Sequence, residues 1–371
     1  MKILIVTTIG LTSIFFKELI ADLVNEGHTV DFACNDSEYK VDEQCINLGC
    51  NVYSIGFSRF PFSYQNIKAI KKLKNLVTEN RYDIVHCHTP VAGACTRIAC
   101  KSLRKDGIKV FYTAHGFHFY KSAPLINWLI YYPVEKICAH FTDVLITINQ
   151  EDYALARRRI KAKRVEYIPG VGIDTKKFSD CSVDRRGKRR ELGITEDEFL
   201  LISVGELNKN KNHQVVIKAL AQLNDPNVHY MIAGRGPEEE TLRILSQELG
   251  VNNQVHLLGY REDIPELFHS ADVNIFPSIR EGFGLAAIEG LAAGLPLICS
   301  DNRGTREYAV DGVNAVVCRK QTPEEYKKAI ETVITHTFTD VAKSISLFSR
   351  DCINAKIIGF YHSVSRTDFQ S

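Results

Sequence analysis

The first 170 residues alternate between short apolar runs and longer segments in which apolar residues recur every three or four positions. The runs predict buried strands at Lys2–Val6, Val30–Cys34, Asp83–Cys87, Lys109–Thr113 and Asp143–Ile148. The longer segments predict helices at Ile14–Asn25, Val91–Leu103 and Leu125–Cys138. Strands that are apolar on both faces need helices on both sides of their sheet. The alternation therefore favours βαβ units and a parallel sheet.

A second series of the same kind follows. Its strands are predicted at Phe199–Val204, Val228–Ala233, Val255–Leu258, Val273–Pro277 and Leu295–Cys299. Between the two series lie a stretch rich in Gly and Pro, Tyr167–Asp174, and a charged stretch that ends near Glu198, where we place the domain linker. We therefore expect domains at 1–170 and 171–339, with a final helical segment at about 340–371 that packs back onto the first.

The predicted fold is α/β, with two doubly wound, Rossmann-like domains. Such sheets bind ligands beyond the carboxyl ends of their strands, so we expect the two domains to face an interdomain cleft that holds the ligands.

Composition is that of a soluble globular protein. The 371 residues are 45% hydrophobic and 24% charged, and no apolar run approaches the roughly 18 residues of a membrane span. The 11 cysteines contain no Cys-x-x-Cys pair, which favours a reduced, cytoplasmic protein. The net charge of +2 argues against a nucleic-acid partner, although the first domain is basic and the second acidic.

The most informative stretch runs from Pro277 to Pro296. A strand ends at Pro277, a glycine-bearing loop carries Glu281, and an alanine-rich helix that begins near Gly284 holds Glu289. Glycines allow a ligand to approach the backbone, and the free N–H groups of a helix start attract an anion such as a diphosphate. Two carboxylates beside it suit the hydroxyl groups of a sugar. A solvated loop and helix face would be the plain structural alternative.

This stretch resembles the Glu-x7-Glu motif of the retaining glycosyltransferases of GT-B family 4, and the resemblance extends over most of the chain. Its other parts are Ser203–Lys211, the Gly-x-Gly-Pro turn in Ala233–Pro237, Gly259–Ile264, Thr113–Gly116, Asp83–Pro90 and Asp301–Glu307. The set is similar to the capsular and exopolysaccharide subgroup.

The resemblance implies transfer of a sugar from a nucleotide-sugar donor, expected to be UDP-linked, to a polyprenyl-diphosphate-linked or glycan acceptor, with no cofactor. It implies that Glu281 binds the donor sugar, Glu289 the ribose and Lys211 the diphosphate, while His115 lies beside the reacting sugar. His115 and Glu281 are the implied catalytic residues. The implied donor loops also contain Gly10, Arg235, Gly236, Ile264, Gly282, Phe283, Gly284 and Leu285.

The chain departs from the family at two positions. Glu206 stands where many relatives have an arginine for the diphosphate, and Arg303 stands where many have glycine. We hypothesise that Arg303 replaces the missing cation, either on the diphosphate or in an ion pair with Glu206.

We expect no metal site. His86 and His88 share one strand face, but no third ligand lies at metal-site spacing, so lining of the acceptor cleft is the better interpretation. The aromatic segment Phe117–Pro124 remains open between acceptor groove and core, and Trp128 is assigned to the core.

A basic helix points to membrane contact. Lys68, Lys71, Lys72 and Lys74 follow the aromatic loop Phe57–Phe62, and lysines beside exposed aromatics suit an anionic bilayer. A solvated helix face is the alternative. We expect a cytoplasmic protein with peripheral contact to the inner face of the cell membrane.

Two other functions stay open: a nucleotide-sugar epimerase with the same fold, and a sugar-nucleotide binder without activity. An oxidoreductase is disfavoured because Thr7–Thr12 lacks the Gly-x-Gly-x-x-Gly pattern.

Overall fold

The computed structural model describes residues 1–120 and 123–366, and side chains to residue 364. Lys121 and Ser122 of the aromatic segment, and residues 367–371 of the predicted final helical segment, lie outside the described residues. The chain forms two compact units, Met1–Gly172 with Arg350–Ser371 and Ile173–Ser349.

The first unit is built on a parallel sheet of seven strands in the order β3-β2-β1-β4-β5-β6-β7. The strands are β1 Lys2–Ile9, β2 Thr29–Asn35, β3 Val52–Ser54, β4 Ile84–His88, β5 Lys109–Ala114, β6 Val144–Thr147 and β7 Arg164–Tyr167. The helices of this unit are α1 Lys17–Asn25, α2 Glu43–Asn47, α3 Tyr64–Asn80, α4 Pro90–Cys100, α5 Leu125–Ala139 and α6 Gln150–Arg159. Short 3₁₀ helices span Gly10–Phe15 and Leu103–Asp106.

The second unit is built on a parallel sheet of six strands in the order β10-β9-β8-β11-β12-β13. The strands are β8 Phe199–Val204, β9 Val228–Ala233, β10 Val255–Gly259, β11 Val273–Phe276, β12 Leu297–Ser300 and β13 Ala315–Cys318. The helices are α7 Thr175–Ser179, α8 Arg185–Glu191, α9 His213–Leu223, α10 Glu239–Glu248, α11 Ile264–Ser270, α12 Leu285–Ala292 and α13 Pro323–Thr335. Short 3₁₀ helices span Thr305–Glu307 and Ala342–Phe348.

The last helix, α14 Arg350–Arg366, belongs to the first unit. Arg350 pairs with Glu18 of α1, and Asn354 Nδ2 donates to Asp22 Oδ2 at 2.9 Å. Its Tyr361 is buried against His86 and Phe111 of the sheet. These contacts fix α14 on α1 and on the first sheet.

The sequence predicts that the charged stretch before residue 198 is part of the domain linker. In the structure this stretch forms α7 and α8, which belong to the second unit. Arg189 of α8 is 1% exposed, and its guanidinium donates to the carbonyl of Ser270 at 2.9 Å and pairs with Asp272 at 3.3 Å. Burial of the whole side chain, with its guanidinium hydrogen-bonded and paired, fixes α8 on the core despite the helix's many charges.

Candidate active site

Two loops at the carboxyl edge of the second sheet approach each other as closely as backbone allows. A Cβ on Gly234 would lie 1.8 Å from the carbonyl oxygen of Gly205, and one on Gly236 would lie 2.4 Å from that of Leu207. The amide of Leu207 donates to the carbonyl of Arg235 at 3.0 Å, and the Arg235 side chain is exposed. These two glycines are therefore required by the packing of the loops after β8 and β9.

Lys211 and Glu281 form the charged pair of this edge. Lys211 Nζ lies 2.8 Å from Glu281 Oε1 and 4.8 Å from the centre of the Phe276 ring, with the two charged side chains 20% and 17% exposed. Asn210 joins their loops, since its side-chain amide donates to the carbonyl of Arg280 at 2.9 Å and its carbonyl accepts from Ile279 at 2.8 Å. Lys211 is thus held in place on one side by an ion pair.

The loop before α12 has a fixed backbone. Gly284, the N-cap residue just before α12, has a φ of 87°, a conformation that favours glycine, and a Cβ there would lie 2.8 Å from the Tyr308 hydroxyl oxygen. That hydroxyl donates to the carbonyls of Phe283 and Gly284, at 2.9 and 3.0 Å. Burial raises the pKa of Tyr308 well above its usual range, so the hydroxyl stays protonated. Phe283 itself is buried.

The remaining predicted donor residues flank this loop. Gly282, Leu285 and Glu289 are half-buried, with Leu285 the first residue of α12 and Glu289 one turn later. Ile264 begins α11, also half-buried, after a loop that is tied to the others by the bond from the Gly234 amide to the Gly259 carbonyl at 2.8 Å.

Arg303 lies beside the Glu281 loop. Its Nε donates to the carbonyl of Glu281 at 3.3 Å, and a Cβ on Gly304 would lie 2.8 Å from the carbonyl oxygen of Phe283. Glu206 is exposed and its carboxylate accepts from Asn208 Nδ2 at 2.9 Å. Arg303 thus contacts the backbone of the Glu281 loop, whereas the carboxylate of Glu206 is held by Asn208.

The second unit thus brings together a lysine, a helix N-terminus and two carboxylates at one sheet edge. The lysine and the free amides of α12 suit an anion, and the carboxylates accept hydrogen bonds from hydroxyl groups. This set can bind a polyol that carries a phosphate.

Histidines of the first unit form a connected row. Nδ1 of His86 lies 2.5 Å from the Tyr361 hydroxyl, its Nε2 lies 2.8 Å from Thr113 Oγ1, and its ring centre lies 4.2 Å from that of His88. His88 Nδ1 lies 3.1 Å from Nε2 of His115, which is exposed after β5. Burial lowers the pKa of His86 to about 3 and that of His88 well below its usual value, so both are neutral at pH 7.

This geometry gives His86 a structural explanation, because both of its ring nitrogens have hydrogen-bond partners. His88 instead holds the ring of His115, which makes it a positioning residue for that histidine. The space beside Gly10 is filled by protein, since a Cβ there would lie 2.2 Å from the carbonyl oxygen of Tyr39. Packing of this loop is sufficient to require a glycine at position 10.

One cluster of the described residues has metal-ligand chemistry. Ligand atoms of Glu26, His28 and His362 lie within 4.8 Å of one another, and His362 Nε2 already lies 3.0 Å from Glu26 Oε2. The cluster sits where β2 begins, at the amino edge of the first sheet, whereas His115 follows the carboxyl end of β5. It is therefore separate from the predicted site.

Sequence reasoning missed the residues that shape the loops. Asn302 accepts from the amides of Gly304 and Thr305 at 2.9 and 3.1 Å and donates to the carbonyl of Ser278 at 3.1 Å. Asn302 lies within the family-like stretch Asp301–Glu307, and Tyr308 follows it directly. Proximity to that stretch was the available signal for both.

Comparison with known families matches both units. The model described as Glycosyltransferase Family 4 matches residues 12–177, and the model described as Glycosyl transferases group 1 matches residues 184–345. The putative glycosyltransferase EpsD of Bacillus subtilis is 43% identical over 283 residues, which cover 75% of this chain and 74% of EpsD.

More distant relatives agree. An Escherichia coli UDP-Gal:alpha-D-GlcNAc-diphosphoundecaprenol alpha-1,3-galactosyltransferase is 28% identical over 322 residues, covering 83% of this chain and 80% of that enzyme. Among solved structures, Anabaena HepE in complex with UDP has a TM-score of 0.82 at 22% identity and covers 98% of this chain and all (100%) of its own. The galactosyltransferase WaaB, of the lipopolysaccharide outer core, has a TM-score of 0.76 at 18% identity, covering 98% of this chain and 99% of its own. The chain therefore has the GT-B fold and belongs to glycosyltransferase family 4, as an exopolysaccharide-type glycosyltransferase.

Proposed function

We propose that this protein transfers a sugar from a UDP-sugar to a lipid-linked or glycan acceptor, with retained anomeric configuration, in bacterial capsular or exopolysaccharide synthesis. In this proposal the second unit binds the donor and the first binds the acceptor. The observation that carries it is the Lys211–Glu281 pair, held by interlocked loops next to the start of α12.

The donor chemistry follows from these groups. The bond between the anomeric carbon and the diphosphate breaks, a bond to the acceptor oxygen forms, and the acceptor proton leaves with the diphosphate. Lys211, the amides of α12 and Arg303 would stabilise the departing charge, while Glu281 binds the sugar hydroxyls and Glu289 the ribose. Because these cations and amides are supplied by the chain, we expect turnover without a metal ion.

Relatives support the substrates. HepE was solved with UDP, and the name of the Escherichia coli relative gives a UDP-sugar donor and a diphosphoundecaprenol acceptor. None of the described helices is long and apolar enough to span a bilayer. We propose that the protein reaches a lipid-linked acceptor through peripheral contact with the bilayer. The lysines at 68, 71, 72 and 74 are exposed on α3 and supply charge for such contact.

The test is a panel of UDP-sugars with a polyprenyl-diphosphate sugar as acceptor, analysed by mass spectrometry. We expect the acceptor to gain the mass of one sugar, NMR of the product to show the donor's anomeric configuration, and EDTA to leave the rate unchanged. Conversion of the donor sugar without an acceptor product would favour the epimerase. Donor binding without turnover would favour the non-catalytic binder, and loss of rate with EDTA would refute metal independence.

A further inference from the structure

Helix α5 presents an apolar face to solvent. Leu125, Ile126 and Leu129 are 81, 56 and 72% exposed, and the same face continues with Val134 and Ile137. Its opposite side carries Trp128 and Tyr132, which pack against the core. A surface helix normally exposes polar residues on this side. The reversed pattern indicates a surface that is covered by something apolar.

This face borders an apolar groove between α3, α4 and α5, with a volume of about 320 Å³. Ile67 and Ile70 of α3, Val91 and Ala94 of α4 and Ile130 of α5 are among its lining residues. The charged lining residue Glu135 is neutralised by a buried ion pair with Arg97 at 2.7 Å. The groove is therefore suited to a hydrocarbon ligand.

Positive charge surrounds the groove. Lys71 and Lys74 lie one helical turn after Ile67 and Ile70 and are exposed, as is Lys136 on α5. Basic residues next to exposed aliphatic side chains match a bilayer surface with anionic head groups.

The groove continues towards the carboxyl edge of the sheet. A second cavity of about 310 Å³ shares Pro61, Pro90 and Val91 with it and is lined by Thr8 at the end of β1 and by Arg59. Arg59 is exposed, and its guanidinium can donate two hydrogen bonds to one phosphate group. An apolar groove that leads to an arginine and a hydroxyl group matches a long hydrocarbon chain attached to a diphosphate.

We propose that the groove between α3, α4 and α5 binds the first part of the hydrocarbon chain of an isoprenoid-diphosphate acceptor, with the apolar face of α5 against the bilayer. The proposal rests on the proposed function for the identity of the acceptor. It assigns to the first unit a site that binds the lipid part of the acceptor rather than its sugar.

Chain length tests the groove. Ala94→Phe fills it, whereas Ala154→Phe adds the same ring at an exposed position of α6 that does not line it. With an acceptor whose diphosphate carries a long isoprenoid, we expect Ala94→Phe to raise KM at least fivefold, and with a short water-soluble alkyl chain to leave KM within twofold. Ala154→Phe should resemble the wild type with both acceptors. An equal effect of Ala94→Phe on both acceptors, or no effect on either, would overturn the proposal.

Bilayer contact has a readout without turnover, because Trp128 on α5 is the single tryptophan of the chain. Because Trp128 lies on the core side of α5, the reporter is Trp128→Phe/Ile126→Trp, in which the one indole replaces an exposed aliphatic side chain of the apolar face. We expect vesicles of phosphatidylglycerol with brominated chains to quench its fluorescence. In this background Leu125→Ser/Leu129→Ser should reduce the quenching by at least half, whereas the control Ile244→Ser/Ile334→Ser, exposed aliphatics of the second unit, should not. Absence of quenching in the reporter variant would overturn the bilayer contact. If quenching occurs and no acceptor is glycosylated, the proposed function fails and the surface stands.

Discussion

Lys211 forms an ion pair with Glu281 in this structure, so a donor phosphate and the Glu281 carboxylate compete for the same ammonium group. Substitution of the two residues should therefore change UDP affinity in opposite directions. In Lys211→Met, UDP loses a charge-assisted hydrogen bond of about 1.5–3 kcal/mol, which is a weakening of roughly 10- to 150-fold.

In Glu281→Gln, the competing ion pair is lost. Because both side chains are partly exposed, the pair is worth about 0.2–1 kcal/mol, the range for pairs near the surface. UDP, which has no sugar for Glu281 to bind, should then bind about 1.4- to 5-fold more tightly. Turnover of the UDP-sugar should nevertheless fall, because the contact between Glu281 and the sugar is removed.

Titration calorimetry with UDP measures both effects, and Lys209→Met is the matched control. Lys209 is exposed, two residues from Lys211 on the same loop, so its removal changes the net charge equally. UDP affinity of this control should stay within twofold of the wild type. Equal weakening in Lys211→Met and Glu281→Gln would refute the competition, and equal weakening in both lysine variants would reduce the effect to general charge.

Three further predictions follow from the geometry. Gly234→Ala should lower the thermal midpoint of unfolding and weaken UDP binding more than tenfold, since its Cβ would overlap a carbonyl oxygen at 1.8 Å. The control Gly359→Ala, in α14 with open space around it, should instead stabilise the protein by about 0.5–1 kcal/mol. Similar thermal midpoints for the two variants would contradict the packing argument. The free energy of unfolding should fall as pH drops from about 6.5 towards 3, by up to about 1.4 kcal/mol per pH unit for His86 alone. The reason is that the unfolded chain takes up a proton that the buried ring does not. Urea denaturation that gives the same free energy of unfolding at pH 7 and pH 5 would be inconsistent with a neutral, buried His86. Arg303→Ala should weaken UDP binding by about 1.5–3 kcal/mol in calorimetry, and an unchanged affinity would remove Arg303 from the diphosphate site.

All but one of the strands that the sequence predicted lie inside a sheet, the exception being the edge strand β10. Phe199–Val204 and Val228–Ala233 were predicted with their observed bounds, because a central parallel strand must be apolar throughout. The strands β3, β7 and β13 were missed. All three are edge strands of three or four residues, and β3 and β7 interleave polar with apolar residues, so none of them gives a long apolar run in the sequence.

Side-chain pairing limited the prediction of the site. The motifs located the loops that carry Lys211 and Glu281, but a pattern of residue types does not specify that the two side chains meet. Phe117 and Phe119, left open between groove and core, are buried and stacked with ring centres 4.8 Å apart. The apolar face of α5 was not predicted, because Leu125–Cys138 has the same residue types as a helix buried in a core.

The return of α14 to the first unit affects how the newly made chain can fold on the ribosome. The second unit is one continuous segment, so it can fold as soon as Ser349 has emerged, whereas the first lacks the residues that cover Glu18 and His86 until α14 has also emerged. A Cβ on Gly172 would lie 2.9 Å from Cα of Arg350. The first unit's two segments therefore meet at the point of the chain where residues 173–349, the second unit, are inserted. A short connection from Gly172 to Arg350 should therefore give a first unit that completes its own fold, and the order of synthesis would no longer determine which half of the enzyme matures first.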